Sequence, residues 1–401
     1  MPEAYIFDAV RTPRGIGKTS GALYTVRPVD LLVTVLRAIR QRSALDTREV
    51  EDVAIGCVAQ SGEQGTCIAR GALLEAGYHH VTPGYTVSRF CSSALETVNQ
   101  AAARIVAGWG DLLIAGGVES MSRVKMGSDV GTMFDPQLQW RIGTVPQGIS
   151  ADLLATLRGF TRTDVDAFAL ESQRRAVAAR DGGRFDRSVV PVKDESGIVV
   201  LERDENPRPD STLEKLASLK PSFEVLGKQF SLDSLVRRVY PQVERIDHVH
   251  TAGNSSSIVD GASAVLLGSK EKGAALGLKP RARVVTGVSV GDEPLLMLTG
   301  PLPATRLALQ RARMRLSDID LFEVNEAFAA VPLTYMRELE VPHDRLNING
   351  GAIALGHPLG ATGAMLLSTA LDLLEERDRT TALVTLCIGG GMGTATIIER
   401  V

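Results

Sequence analysis

Apolar residues in the first 120 positions follow two different periods. Ala4 to Val10 and Glu51 to Val58 are short, nearly continuous apolar runs, and both predict buried strands. Asp111 to Ala115, DLLIA, is too apolar to leave a wet face and predicts a third strand, with Gly116 and Gly117 read as the turn after it. Helical spacing fills the intervals. Val29 to Arg42 puts Leu31, Leu32, Val35, Leu36 and Ile39 on one face, and Ile68 to Ala76 predicts a second helix. Ala94, Leu95, Val98, Ala101, Ala102, Ile105 and Val106 predict a third, beginning at or just after Cys91. Strands alternating with helices imply an α/β fold, a parallel or mixed sheet covered by helices on both sides.

From about Arg123 to His250 prolines and charges become frequent, apolar runs shorten, and only Asp164 to Arg180 keeps a strong helical pattern. This stretch reads as an insertion lying over the α/β body, where a scaffold can hold binding residues. Within it Pro207, Arg208 and Pro209 precede a helical piece, Thr212 to Leu219. The α/β texture returns with Thr251 to Gly268, and Leu276 to Val290 leads into a second unit. There Thr299 to Ala312 predicts a helix, Ile319 to Val324 a strand, the region after Ala361 a helix and Thr381 to Leu386 a strand. The second unit repeats the plan of the first, with about 25 residues from helix start to the following GlyGly in both, as two related halves would have. The expected division is 1–122 plus 251–272, an inserted domain 123–250, and 273–401.

With 401 residues the chain is too long for one ordinary core. Its formal net charge is −3 and no lysine or arginine run persists, which argues against nucleic acid or an anionic membrane as partner. A local basic site for a phosphorylated ligand stays open. No apolar run is long enough to span a bilayer, and the first residues read as strand and turn, without the layout of a signal peptide. Cys57, Cys67, Cys91 and Cys387 show neither a CxxC pair nor metal-ligand spacing. A reduced, cytoplasmic protein is expected, with no metal.

Candidate chemistry gathers at the loops of the two halves. A cysteine at a helix start meets unpaired N–H groups and a partial positive charge, which lower its pKa and favour a thiolate. Ser93 followed by Glu96 has the pattern of a capping box for that helix. The other reading of Cys91 is a small buried packing residue. His357 lies between Gly356 and Pro358 in NGGAIALGHPLGATG, where it can activate a thiol or serve as a hydrogen-bonded structural residue. Cys387 precedes IleGlyGlyGlyMetGly, which lacks the lysine and Ser/Thr of a phosphate loop; its N–H groups can instead form an oxyanion hole. Asn325 ends a strand, and its amide can hold an oxygen or satisfy a turn. Cys57 and Cys67 read as packing residues.

Taken together, SRFCSSALET at 88–97, GGVESMS at 116–122, NEAFA at 325–329, NGGAIALGHPLGATGA at 349–364 and CIGGGMGTA at 387–395 resemble the motif set of the thiolases, the acetyl-CoA acetyltransferase and 3-ketoacyl-CoA thiolase family. The resemblance covers essentially the whole chain. It implies two similar α/β domains forming a layered core, with a loop domain inserted in the first. It also implies that Cys91 takes the acyl group as a thioester, that His357 is its activating base, and that Cys387 is a second acid/base thiol. Asn325, through a water, and His357 would form one oxyanion hole, and the N–H groups of Cys91 and Gly389 the other. Arg208, Phe223 and Ser256 match coenzyme A contacts. No cofactor is implied beyond the substrate coenzyme A, and the partners implied are acyl-CoA, CoA and further copies of the chain, as homodimer or homotetramer.

The match has departures. Ser88, Ala94 and Ser257 stand where the family has asparagine, glycine and glycine, and VPQGISAD at 145–152 lacks the HisMetGly-type segment of biosynthetic members. The added segment EVLGKQFSLDSLVRRVYPQVERIDHVH after Phe223 resembles the thiolase chains of bacterial fatty-acid oxidation complexes, which implies degradative use and admits a hydratase/dehydrogenase chain as partner. The alternative function is a non-catalytic or weakly active docking subunit of such a complex.

Overall fold

The apolar runs do become strands buried on both faces. The computed structural model describes residues 2–129 and 131–401. Its main elements are β1 (Tyr5–Arg11), α1 (Pro28–Arg42), β2 (Asp52–Gly56), α2 (Ile68–Glu75), β3 (Gly84–Val87), α3 (Ser93–Val106), β4 (Leu112–Ser120), α4 (Gln147–Arg158), α5 (Arg162–Asp181), α6 (Leu232–Val239), β5 (Val259–Gly268), β6 (Ala282–Gly291), α7 (Pro301–Ala312), β7 (Leu321–Val324), α8 (Ala330–Leu339), α9 (Thr362–Glu376), β8 (Thr381–Ile388) and β9 (Met392–Arg400).

Nine of these strands form one mixed sheet in the order β7-β8-β9-β6-β1-β5-β4-β2-β3, and the short Gly15–Ile16 strand adds to β5. β2 runs parallel to β3 and β4, and β7 parallel to β8; the remaining pairings are antiparallel. The halves join where Tyr5 and Ile6 of β1 meet Arg283 and Ala282 of β6. Strand pleating explains the layers. Leu112 and Ile114 of β4 face outward into a cluster with Leu31, Leu32, Val35 and Leu36 of α1. Leu113 and Ala115 face inward to Leu95 and Val98 of α3 and Leu367 and Leu371 of α9. On the far side Leu383 and Ile397 pack with Ala304 and Ala308 of α7 and Tyr335 of α8. Helices α3 and α9 are thus the middle layer between two half-sheets.

The duplicated plan is visible in the chain positions. α3 and α9 begin at Ser93 and Thr362, and the strands after them at Leu112 and Thr381, the same separation in both halves.

Several expectations need correction. Gly116 and Gly117 are not a turn, because β4 continues through them to Ser120. A Cβ at Gly116 would lie 2.0 Å from the Ser263 carbonyl oxygen, and one at Gly117 1.9 Å from that of Gly360, so these glycines permit close backbone approach. Ser93 and Glu96 form no capping box. Ser92 is the cap position and no side chain caps the helix; the Ser93 hydroxyl instead accepts from Arg89 N–H and donates to Phe90 C=O, and Glu96 pairs with Arg89. The inserted stretch is also more helical than its texture predicts. In α4 every residue from Gly148 to Ala155 is buried, so no polar stripe marks it as a helix.

Candidate active site

Helices α3 and α9 touch at their first turns, where a Cβ on Gly363 would lie 2.4 Å from Leu95 N. That contact sets the loops before both helices side by side, one ending in Cys91 and the other carrying His357. Ser263 Oγ donates to Ala361 C=O at 2.9 Å and Glu119 accepts from Gly360 N–H at 2.9 Å, so strands of the first half hold the loop of the second. The same Glu119 carboxylate accepts from Val58 N–H, Ala59 N–H and the Gln64 amide.

Cys91 lies just before α3 and is 4 % exposed. Phe90, immediately before it, has φ of 45°, a conformation costly outside glycine that turns the chain sharply into the helix. The N–H of Gly389, the side-chain amide of Gln147 and its own N–H favour its thiolate. Burial nevertheless pushes the free thiol up, against the expectation of a lowered pKa at a helix start; desolvation outweighs the donors.

His357 is 3 % exposed. Its Nδ1 lies 2.6 Å from Thr362 Oγ1, and that hydroxyl lies 2.9 Å from Pro358 C=O. Both contacts are satisfied together when Thr362 donates to Pro358 and accepts from His357 Nδ1–H. The lone pair is then on Nε2, which lies 3.4 Å from Asn325 Nδ2. Burial, with the Arg14 guanidinium adding to it, pulls the imidazole down to about 3, so it is neutral near pH 7. Asn325 is fully buried just past β7; its N–H donates to Thr385 C=O, and its Oδ1 has no protein partner.

Cys387 sits within β8 opposite Gly393 of β9, and it is fully buried. The strand runs on to Ile388, so this thiol is well packed; Gly390 and Gly391, both at positive φ, make the hairpin turn. Burial and the nearby Cys91 raise its pKa far above the ordinary thiol range. Cys57 is fully buried among apolar side chains of the first half, and Cys67, half-buried, begins α2.

Of the residues read as coenzyme A contacts, Arg208 lines a cavity of about 150 Å³ with Gln173, Lys215, Leu219, Gly253 and Ser257. Ser257, not Ser256, is on that wall, and its carbonyl accepts from His357 N–H at 3.0 Å. Ser256 N–H donates to Ala327 C=O nearby. Phe223 lies apart from this lining, with its ring 5.9 Å from that of Phe328 and packed so closely on Gly148 that a Cβ there would meet it at 2.2 Å. Gln147 and Thr362 were missed in the sequence, because nothing local marks their partners.

Among the described residues, no group of three or more His, Cys, Asp or Glu is placed to hold a metal ion, and no helix is long and apolar enough to cross a membrane.

Comparison with known proteins matches residues 4–234 to the family model "Thiolase, N-terminal domain" and 278–400 to "Thiolase, C-terminal domain". The chain is 43% identical over 424 residues to the 3-oxoadipyl-CoA/3-oxo-5,6-dehydrosuberyl-CoA thiolase of Escherichia coli (strain K12), covering 100% of both. It is 41% identical over 410 residues to a 3-ketoacyl-CoA thiolase of Shewanella frigidimarina, again with 100% of both covered. The crystal structure of the Bacillus anthracis acetyl-CoA acetyltransferase superposes with a TM-score of 0.86 at 35% identity, over 100% of this chain and 99% of that one.

Proposed function

The chain belongs to the thiolase family and is an acyl-CoA C-acyltransferase, and from that premise we propose that Cys91 carries the acyl group between a 3-ketoacyl-CoA and coenzyme A. His357 Nε2 takes the Cys91 proton, and the thiolate adds to the 3-keto carbon. The N–H groups of Cys91 and Gly389 receive the oxygen of that adduct. The carbon–carbon bond then breaks, and the electron pair leaves with acetyl-CoA as its enolate. Asn325 and His357 hold the enolate oxygen, and Cys387 gives its carbon a proton. Coenzyme A gives its proton to the Cys387 thiolate, attacks the acyl-Cys91 thioester and departs as acyl-CoA, and His357 returns its proton to the Cys91 sulfur. The balance closes with two thiols and an imidazole.

The observation that carries this reading is that the two thiol loops meet: a Cβ on Gly389, two residues past Cys387, would lie 3.8 Å from the ring of Phe90, the residue before Cys91 and 299 positions earlier in the chain. A neutral imidazole with its lone pair on Nε2 supports His357 as the base. Arg208 and Lys215 on the cavity wall suit the phosphates of coenzyme A, and Ser257 on the same wall leads to His357. The domain 123–250 is the binding domain in this reading, with Phe223 shaping the passage beside Gly148. Relatives named for thiolysis substrates support the degradative direction. Four unpaired cysteines support the cytoplasm as its place. A sheet ending in β3, whose four residues are all half-exposed, supports a homodimer or homotetramer built on that edge.

The test is coenzyme A-dependent cleavage of 3-ketoacyl-CoAs of graded length by the wild type and Cys91→Ser. Cleavage of at least one length, lost on substitution, is expected. Retained thiolysis in Cys91→Ser removes the assigned nucleophile, and failure with every length removes the activity.

A further inference from the structure

Burying a nucleophilic sulfur costs it the hydration that would stabilise its charge, and at Cys91 that cost exceeds what the helix start returns. The nearby Glu119 carboxylate works in the same unfavourable direction. Stabilisation of the thiolate therefore falls to hydrogen-bond donors. Two of the groups that favour it are backbone N–H groups, of Cys91 and Gly389, and the third is the side-chain amide of Gln147, which the Gly389 backbone brings beside Phe90, the residue before Cys91: a Cβ on Gly389 would lie 3.5 Å from Gln147 Nε2 and 3.8 Å from the Phe90 ring.

Gln147 is held in place from several sides. It is the first residue of α4, and a Cβ on Gly389 would lie 3.5 Å from its Nε2. The next residue, Gly148, is covered by the Phe223 ring. Ser150 Oγ donates to Leu295 C=O at 2.6 Å. Asp152, fully buried one turn on, accepts from Val249 N–H and His250 N–H and contacts His248 Nδ1 and His250 Nδ1 at 2.7 and 2.8 Å. The segment after Phe223 adds Leu235 and Val236 of α6 and Val243 against Ile149 and Leu153. Such a fixed helix start presents the amide without an ordering cost at the moment of reaction.

We propose that Gln147 is a further catalytic residue, whose side-chain amide donates to the Cys91 sulfur and stabilises its negative charge for attack. The proposal rests on Cys91 being the nucleophile. It also explains the departure at 145–152, since an apolar residue at this position would leave two donors at the sulfur.

Alkylation of Cys91 by iodoacetamide, followed by mass spectrometry across pH 6 to 10 on the full-length enzyme, tests it. Replacing the amide by an apolar chain of similar length, Gln147→Met, is expected to move the alkylation midpoint up by about one pH unit, with roughly tenfold slower labelling near neutrality and a parallel fall in kcat. Gln147→Glu, equal in shape and opposite in effect on a thiolate, is expected to move it further. An unchanged midpoint in Gln147→Met, or one in Gln147→Glu at or below that of the wild type, overturns the proposal. The underlying reading fails separately: thiolysis that survives complete alkylation of Cys91 removes the nucleophile, whatever Gln147 does.

Discussion

The Thr362 hydroxyl decides which nitrogen of His357 is free. Valine has the same shape without the hydroxyl, so Thr362→Val leaves Nδ1–H unpartnered in a buried place and lets the ring turn or change tautomer. An unsatisfied buried donor of this kind costs about 1–3 kcal/mol, which translates into a fall in kcat of roughly tenfold to a hundredfold, with KM for coenzyme A nearly unchanged. Steady-state kinetics check this, and an unaltered kcat would detach Thr362 from the chemistry. The proposed Cys91, His357 and Cys387 stand out in the sequence because each lies in a glycine-rich or helix-start context that packing alone does not demand. Thr362 and Gln147 were not, since a hydroxyl or amide declares its purpose only through a partner brought near by folding. The electrostatics of Cys91 were misjudged for a related reason: the helix start is visible in the sequence, whereas the burial that outweighs it is a property of the assembled layers.

Elements with one period or a continuous apolar run were read correctly, as in β1, α1, β2, α2, α3 and β8. Those with no contrast between faces were missed. α4 is surrounded on all sides. β9 was hidden because its residues alternate between two buried environments, Ala395 and Ile397 toward α7 and Ile398 toward the middle helices. The joint between α3 and α9 is also invisible to periodicity, because it depends on glycine. Gly363→Ala would press a methyl into the backbone of Leu95, and the shift it forces costs about 1–3 kcal/mol by the usual scale of overpacking. Chemical denaturation would show a lower midpoint. Activity would fall more than stability alone explains, because the same shift moves the Cys91 and His357 loops apart.

Across the whole molecule, charge burial sets the response to acid. Asp204 is fully buried; burial alone would raise its pKa, but Arg11, paired at 2.7 and 2.8 Å, and Arg14 outweigh that and hold it below the usual carboxylate range. Its stabilising contribution is therefore complete above the unfolded value near 3.9 and is lost as pH falls through the lower folded value. His357 acts in the same sense: neutral in the folded state down to about 3, it favours folding above its unfolded value near 6.5 and progressively less below it. Thermal stability should thus decline from about pH 6.5 toward pH 3. Asp204→Asn, which leaves Arg11 buried without its counter-charge, should cost about 3–5 kcal/mol at neutral pH and flatten the acid limb of the curve below pH 4. Scanning calorimetry from pH 3 to 8 measures both, and an acid limb identical in the two proteins would exclude the ion pair as its cause.

At the same scale the duplicated plan was legible from the order and spacing of loops, helices and strands. The continuous sheet was not, since its seam is a pairing of Tyr5 and Ile6 with residues near 282. That seam has a consequence for the ancestry of the chain. It is two residues wide, while the proposed nucleophile Cys91 and base His357 sit on opposite sides of it. A half-length forebear with one loop, one central helix and one half-sheet would have owned the counterpart of Cys91 or that of His357 but never both, and could have turned over only as a pair of separate polypeptides. Fusion would then have made permanent an encounter that had once depended on concentration.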